Sequence, residues 1–90
     1  MNKAIITVGG KDTVGILART CTYLAESKVN ILDISQTIVQ DYFTMMMIVD
    51  IAAVEKGFDV LVSELDALGR QIGLEIKCQR TEIFEKMHRI

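Results

Sequence analysis

Between the apolar run AIITV and a helical pattern lies GGKDTVGIL, Gly9 to Leu17, the part of this 90-residue chain whose residue types come nearest to chemistry. A glycine-rich strand-to-helix loop can cradle a phosphate on its backbone N–H groups. Gly10 and Gly15 begin the GxxxxGK(S/T) spacing of a nucleotide-hydrolysing loop. Ile16 and Leu17 then stand where that chemistry needs a lysine for the outer phosphates and a hydroxyl for magnesium. A dinucleotide fingerprint fails as well, because GxGxxG is absent. What the loop retains is physical. Gly15 in the first helical turn lets a ligand or another backbone approach, and the free N–H groups of about Val14, Gly15 and Ile16 face outward with the positive end of the helix dipole. Such a terminus can hold a carboxylate without a basic side chain. A tight turn that needs glycine only for packing fits the same pattern equally well. Asp12 is either a helix N-cap, accepting an N–H from residue 14 or 15, or a ligand contact.

Elsewhere the chain offers no catalytic constellation. The one histidine, His88, lies in the terminal segment, and the serines have no partner base at recognisable spacing. Cys21 and Cys78 stand far apart without a CxxC, so buried free thiols are expected rather than a zinc or redox pair. No catalytic residue, metal or cofactor is expected.

The net charge of -2 and pI near 5.3, with scattered Lys and Arg, exclude a nucleic-acid footprint. No apolar stretch approaches the roughly twenty residues that span a bilayer, and the start lacks a secretory pattern, so a cytoplasmic location and no membrane partner are expected. With half its residues hydrophobic, no proline and no linker, the chain reads as one domain, 1–90. A domain this small buries only about two-thirds of its unfolded surface, which favours a homo-oligomer.

The hydrophobic periods predict strand, helix, strand, strand, helix, strand. Ala4 to Val8 is a β-branched run. From Thr13 to about Lys28, Val14, Leu17, Cys21 and Leu24 trace one helical face, flanked by Ala18 and Ala25. Leu32, Ile34 and Ile38 alternate with Asp33, Ser35 and Thr37, a strand with one face buried, in which Gln36 marks a bulge or an exposed end. Gln40 and Asp41 turn the chain into Tyr42 to Ile51, an almost unbroken apolar run expected at the sheet centre. Phe58, Leu61, Val62, Leu65, Leu68 and Ile72 form a second helical stripe stopped by Gly73. Leu74, Ile76 and Cys78 make a last strand, and Ile83, Phe84, Met87 and Ile90 a short C-terminal helix that docks on the protein itself or a sister subunit.

Two helical crossovers around a central hairpin specify an α+β, ferredoxin-like βαββαβ sandwich: a four-stranded antiparallel sheet with both helices on one face. Right-handed crossovers order the strands fourth, first, third, second. Acylphosphatase shares this length and topology, and GIxxR from Gly15 to Arg19 resembles the end of its signature. That chemistry also needs an asparagine near the middle of the sheet, and this chain has only Asn2 and Asn30; Arg19 is then a solvated helix residue. An RNA-binding version of the topology needs aromatic platforms on both central strands, and the first strand has none.

GKDTVGIL, the helix after it and VNILDISQT together resemble the ACT domain, a small ligand-sensing module with this βαββαβ topology. The likeness runs over nearly the whole chain. It is closest to the small stand-alone prokaryotic ACT proteins, through DISQTIVQDYFTMMMIVD and the end beginning EIFEKM. ACT domains of the glycine-cleavage regulatory protein and of formyltetrahydrofolate deformylase are more distantly similar.

The resemblance implies side-by-side homodimers that bind a small effector, often an amino acid, between the first loop of one subunit and the second strand of its neighbour. Carried onto this sequence, the loop positions are Gly10, Lys11, Asp12, Thr13, Val14, Gly15 and Ile16, and the strand positions Asn30 and Ile31. Asn30 offers donors and acceptors for the polar end of an amino acid, or serves as a turn residue at the strand entrance. Lys28 stands where a glycine commonly ends the first helix, so it must adopt a left-handed conformation or change how the helix stops. The expected function is a non-catalytic regulatory module. A protein-interaction or assembly module without a ligand is the alternative, and an acylphosphatase-like enzyme the third reading.

Overall fold

The computed structural model describes residues 3–11 and 15–81, Ile16 and Leu17 by their backbone alone. Strand β1 (Lys3–Lys11) leads through helix α1 (Ile16–Glu26) to strand β2 (Asn30–Val39); strand β3 (Tyr42–Asp50), helix α2 (Phe58–Ile72) and strand β4 (Glu75–Arg80) follow. The sheet order is β2-β3-β1-β4 with antiparallel neighbours, the order that right-handed crossovers require. The expected C-terminal helix and the Thr13–Val14 start of α1 lie outside the described residues.

The core sits on one face of the sheet. Ala4, Ile6 and Val8 of β1 alternate inward with Phe43, Met45, Met47 and Val49 of β3 and with Ile76 and Cys78 of β4, and α1 and α2 add Leu24, Leu61 and Leu65. β3 and β4 show the period of two that a sheet covered on one side demands. Among the described side chains of α1, Thr20 and Leu24 are fully buried, while Cys21 is only half-buried, which corrects its expected place in the core stripe; the expected stripe members Val14 and Leu17 lie outside the described side chains. The expected stripe on α2 reaches the core through Leu61 and Leu65, and its other members pack around them half-buried.

The apolar run of β3 is central, yet its second face is not buried. Tyr42 and Met46 are exposed there, because no helix described covers that side of the sheet. The expectation for β2 also needs correction: all ten residues are exposed. The bulge falls between Ile31 and Asp33, not at Gln36, and the Asp33 carboxylate accepts the Ile34 N–H at 2.9 Å. Register still sorts the side chains. Ile31, Ile34, Gln36 and Ile38 stand opposite Val49, Met47, Met45 and Phe43, so they belong to the helix-side face. At a sheet edge each keeps a flank open to solvent. The other edge strand, β4, escapes this because α2 packs closely on it through Gly69, where a β-carbon would stand 2.8 Å from the Leu74 carbonyl oxygen.

Both helices stop on left-handed residues, for different local reasons. Gly73 closes α2 at φ 75°. Lys28 follows α1 at φ 63°, with Lys28 N–H bonded to the Ala25 carbonyl (3.1 Å) and Val29 N–H to the Leu24 carbonyl (2.9 Å). That pair of bonds, with Val29 and Leu24 both buried, is a Schellman closure made without glycine. The two-residue turn between β2 and β3 likewise puts Gln40 at φ 56°, a conformation that suits the strand twist.

Candidate functional site

Of the three glycines in GGKDTVGIL, two are occupied by packing within the chain. A β-carbon on Gly9 would stand 3.2 Å from the Tyr42 hydroxyl, so the tyrosine ring covers this glycine on the helix-free face. One on Gly10 would stand 2.4 Å from Leu74 Cδ2, so Gly10 makes room for a buried core residue. Gly15 is different: among the described residues nothing lies within 4 Å of its β-carbon position, and it holds φ 91° as the N-cap of α1. Its glycine requirement is conformational, and the space beside it is open.

Arg19 donates its N–H to the Gly15 carbonyl at 2.9 Å, tying the N-cap into the first described turn of the helix. The N-cap Gly15 and the first helical residues Ile16, Leu17 and Ala18 are the positions whose N–H groups have no carbonyl inside α1 to bond, and Val14 lies outside the described residues. No acidic residue occupies the first turn of α1, so the positive end of its dipole meets no carboxylate from the helix itself. Asp12, Thr13 and Val14 lie outside the described residues, and with them both readings of Asp12.

Lys11 ends β1 opposite Tyr42, which in turn faces Val39 at the end of β2. Asn30 and Ile31 stand at the opposite end of the sheet, across from Asp50 and Val49. Eight residues of β3 separate the two levels, about 26 Å along the strand at ~3.3 Å per residue. A single chain thus brings together Gly10, Lys11 and Gly15 at one end, and Asn30 and Ile31 at the other.

What the spacing arguments missed is the continuity of the exposed β2 edge. Ile31, Leu32, Ile34, Ile38 and Val39 are between 37% and 64% exposed. Such an edge presents unpaired backbone groups together with apolar side chains. Its position at the end of the strand order was the available signal; the alternation of apolar residues masked it by matching a strand buried within its own chain.

On the opposite side of the molecule, a groove of about 370 Å³ between α1 and α2 is bordered by Tyr23, Ser27, Lys56 and Glu64. Glu64 accepts hydrogen bonds from the Tyr23 hydroxyl and the Lys56 ammonium, each at 2.6 Å, and Lys56 also reaches Ser27 Oγ at 3.3 Å. The Lys56 and Tyr23 hydrogen bonds hold the Glu64 carboxyl below the usual range, and the bond to Glu64 pushes the Lys56 ammonium up. Burial, then the hydrogen bond to Glu64, raises the Tyr23 phenol. These groups satisfy one another and tie α1 to α2. Arg19 is exposed on α1 and borders the adjoining depression with Ala18 and Thr22. Asn30, at the end of an edge strand, is not at the sheet centre where acyl phosphate hydrolysis would need it. Among the described residues no three His, Cys, Asp or Glu side chains gather as metal ligands, and no helix is long and apolar enough to cross a membrane.

Comparison with known proteins agrees with this geometry. A family model for the ACT domain matches residues 2–79. The chain is 64% identical over 90 residues to a UPF0237 protein of Bifidobacterium longum, covering the whole of both. The structure of an ACT domain protein from Streptococcus pneumoniae superposes with a TM-score of 0.82 at 44% identity, over 93% of this chain and 94% of that one. Two more distant structures share the fold. A formyltetrahydrofolate deformylase from Pseudomonas syringae gives TM-score 0.81 at 16% identity, over 89% of this chain and 28% of that one. A glycine cleavage system transcriptional repressor, described as putative, gives 0.73 at 22%, over 88% and 45%. With the family match spanning most of its length, and relatives this similar from end to end, the chain belongs to the ACT domain family.

Proposed function

We propose that this protein is a non-catalytic, cytoplasmic regulatory module: a homodimer that binds a small effector, an amino acid, between the α1 loop of one subunit and the start of β2 of the other. The observation that carries this reading is the β2 edge, exposed along its whole length, with its apolar row. Two such edges pairing antiparallel about a two-fold axis bury both rows. The same operation lays the partner's Asn30 end beside the Val39 end, the level at which Lys11 and Tyr42 lie. Both halves of the site then share one end of the sheet. An α-carboxylate would sit at the N–H groups of Ile16, Leu17 and Ala18, entering over Gly15, and Asn30 of the second subunit would bind the amino group or side chain.

A ligand held by two chains stabilises their association. At one hundred times its dissociation constant it contributes about 2.7 kcal/mol, comparable to the ~1–3 kcal/mol of an ordinary regulatory coupling. The same exposed edge favours a second reading, an assembly module whose dimer binds no effector.

Thermal denaturation against a panel of amino acids, with mass measured by light scattering, separates the two. The sensor reading expects one or a few amino acids to raise the melting temperature, and Gly15→Val and Asn30→Ala to abolish the rise. Dimers that persist in both variants, with no ligand-dependent rise in the parent, leave the assembly reading. Release of phosphate from an acyl phosphate, lost on Arg19→Ala, would establish catalysis instead.

A further inference from the structure

Gly9 has strands on both sides, pairing with Thr44 of β3 and Glu75 of β4, and its φ is not positive, so its backbone does not call for glycine. A glycine inside a strand weakens it and often marks a place where something approaches the backbone closely. Within the chain only the Tyr42 hydroxyl end does so, 3.2 Å from the β-carbon position. Beside that contact the helix-free face is hollow over about 170 Å³, bordered by Thr7, Tyr42, Thr44, Glu75 and Lys77.

Register sorts these groups into two rows. Glu75, Gly9 and Thr44 are cross-strand partners in one; Lys77 and Thr7 are partners in the next, about 7 Å further along the strands. The hydroxyls of Thr7, Tyr42 and Thr44 hold no hydrogen bond to another described residue. Lys77 and Glu75 approach each other at 3.6 Å, longer than a hydrogen bond, and both are mostly exposed, so they hold each other weakly. The hollow therefore presents a carboxylate at one level and an ammonium at the other, each beside uncommitted hydroxyls.

We propose that this hollow binds a small zwitterion, an α-amino acid with a short side chain, on one chain alone. Its ammonium donates to the Glu75 carboxylate and to the Thr44 and Tyr42 hydroxyl oxygens; its carboxylate accepts from the Lys77 ammonium and the Thr7 hydroxyl. Charge complementarity selects this occupant, because a lone anion would face Glu75 and a lone cation Lys77. The missing β-carbon of Gly9 leaves the room. The site is separate from the one between the α1 loop and the second subunit's β2, and needs no partner.

The test titrates the full chain with alanine and follows backbone amide shifts by NMR, beside isopropylammonium and isobutyrate, which keep alanine's shape and drop one charge each. Alanine is expected to move the amides of Thr7, Gly9, Thr44, Glu75 and Lys77. Each one-charge analogue is expected to bind about ten-fold or more weakly, the worth of one hydrogen bond to a charged group. Gly9→Val fills the hollow and abolishes the shifts; Lys77→Gln weakens alanine without touching the backbone, and decides the matter if Gly9→Val misfolds. Asn30→Ala leaves the affinity at the hollow unchanged, whatever it does at the subunit interface. No shift around Gly9 in the parent, equal binding of alanine and isobutyrate, or an affinity unmoved by Lys77→Gln overturns the proposal. So do shifts that vanish in Asn30→Ala, which would assign alanine to the interface instead.

Discussion

Val29 donates its N–H to the Leu24 carbonyl at 2.9 Å, and the residue before it, Lys28, is held at φ 63° by that closure. A left-handed conformation costs an L-residue roughly 1–2 kcal/mol, part of which a glycine gives back through its freer unfolded chain. Lys28 also pairs with Glu55 at 2.6 Å, but both side chains are mostly exposed, and such pairs contribute ~0–1 kcal/mol. Lys28→Gly is therefore expected to be stabilising by up to about 1 kcal/mol and Lys28→Val to be destabilising. Chemical denaturation of the two variants beside Lys28→Ala, which removes only the ion pair, measures the backbone contribution.

Gly10 and Gly15 fail for different reasons when substituted. Gly10→Ala drives a methyl group into Leu74, an overpacking expected to cost about 1–3 kcal/mol. Combined with Leu74→Ala, which vacates the space, its cost shrinks, giving a clear coupling energy in a double-mutant cycle. Gly15→Ala meets no atom of the described residues and is expected to cost its conformation, about 1–2 kcal/mol, with no coupling to Leu74. Equal coupling at both glycines would contradict this division of roles.

The Tyr23–Glu64–Lys56 cluster sets both ends of a stability plateau. Glu64 titrates lower in the folded state than its ordinary value of 4.5, so its contribution is present above that pH and is lost as pH falls through the depressed value. Lys56 and Tyr23 titrate above their ordinary values of 10.5 and 10.0, so their contributions hold below pH 10 and are lost as pH rises through the raised values. Melting temperature against pH should show Glu64→Gln most destabilised across the neutral range and converging on the parent in acid.

The two thiols should be told apart by chemistry. Burial pushes Cys78 up to about 11 from 9.0, and the nearby Arg80 charge only partly offsets this. Cys21 is half-buried on α1. Mass spectrometry after alkylation at pH 8 is expected to show Cys21 modified first and Cys78 protected until the chain unfolds. The folded state's advantage from a protonated Cys78 is complete below pH 9 and fades as pH rises through about 11.

Much of the fold was legible because it depends on local periods and on chirality. The β-branched run Ala4–Val8, the alternation in Leu74–Cys78, the stripe from Phe58 to Ile72, the glycine stop at Gly73 and the right-handedness of crossovers together dictate the order β2-β3-β1-β4. Burial was less legible. An apolar strand such as Tyr42–Asp50 reads the same whether one face or both are covered, and Ile34 and Ile38 read as core although they stand at an uncovered edge. Thr20 is fully buried where its type suggested a polar face, because helical phase, once α1 is set down on the sheet, outranks side-chain preference.

The sequence by itself determined the topology, the absence of the phosphate-loop lysine, and the family to which the loop and second strand belong. Only the tertiary structure separated the glycines. Which of them faces Tyr42, which faces Leu74 and which faces open space depends on contacts between residues 33 and 64 positions apart, and no local pattern encodes those distances. Register likewise put Asn30 at the far end of the sheet from Lys11. That separation follows from antiparallel pairing: a strand that returns beside its neighbour carries its first residue to the other's last.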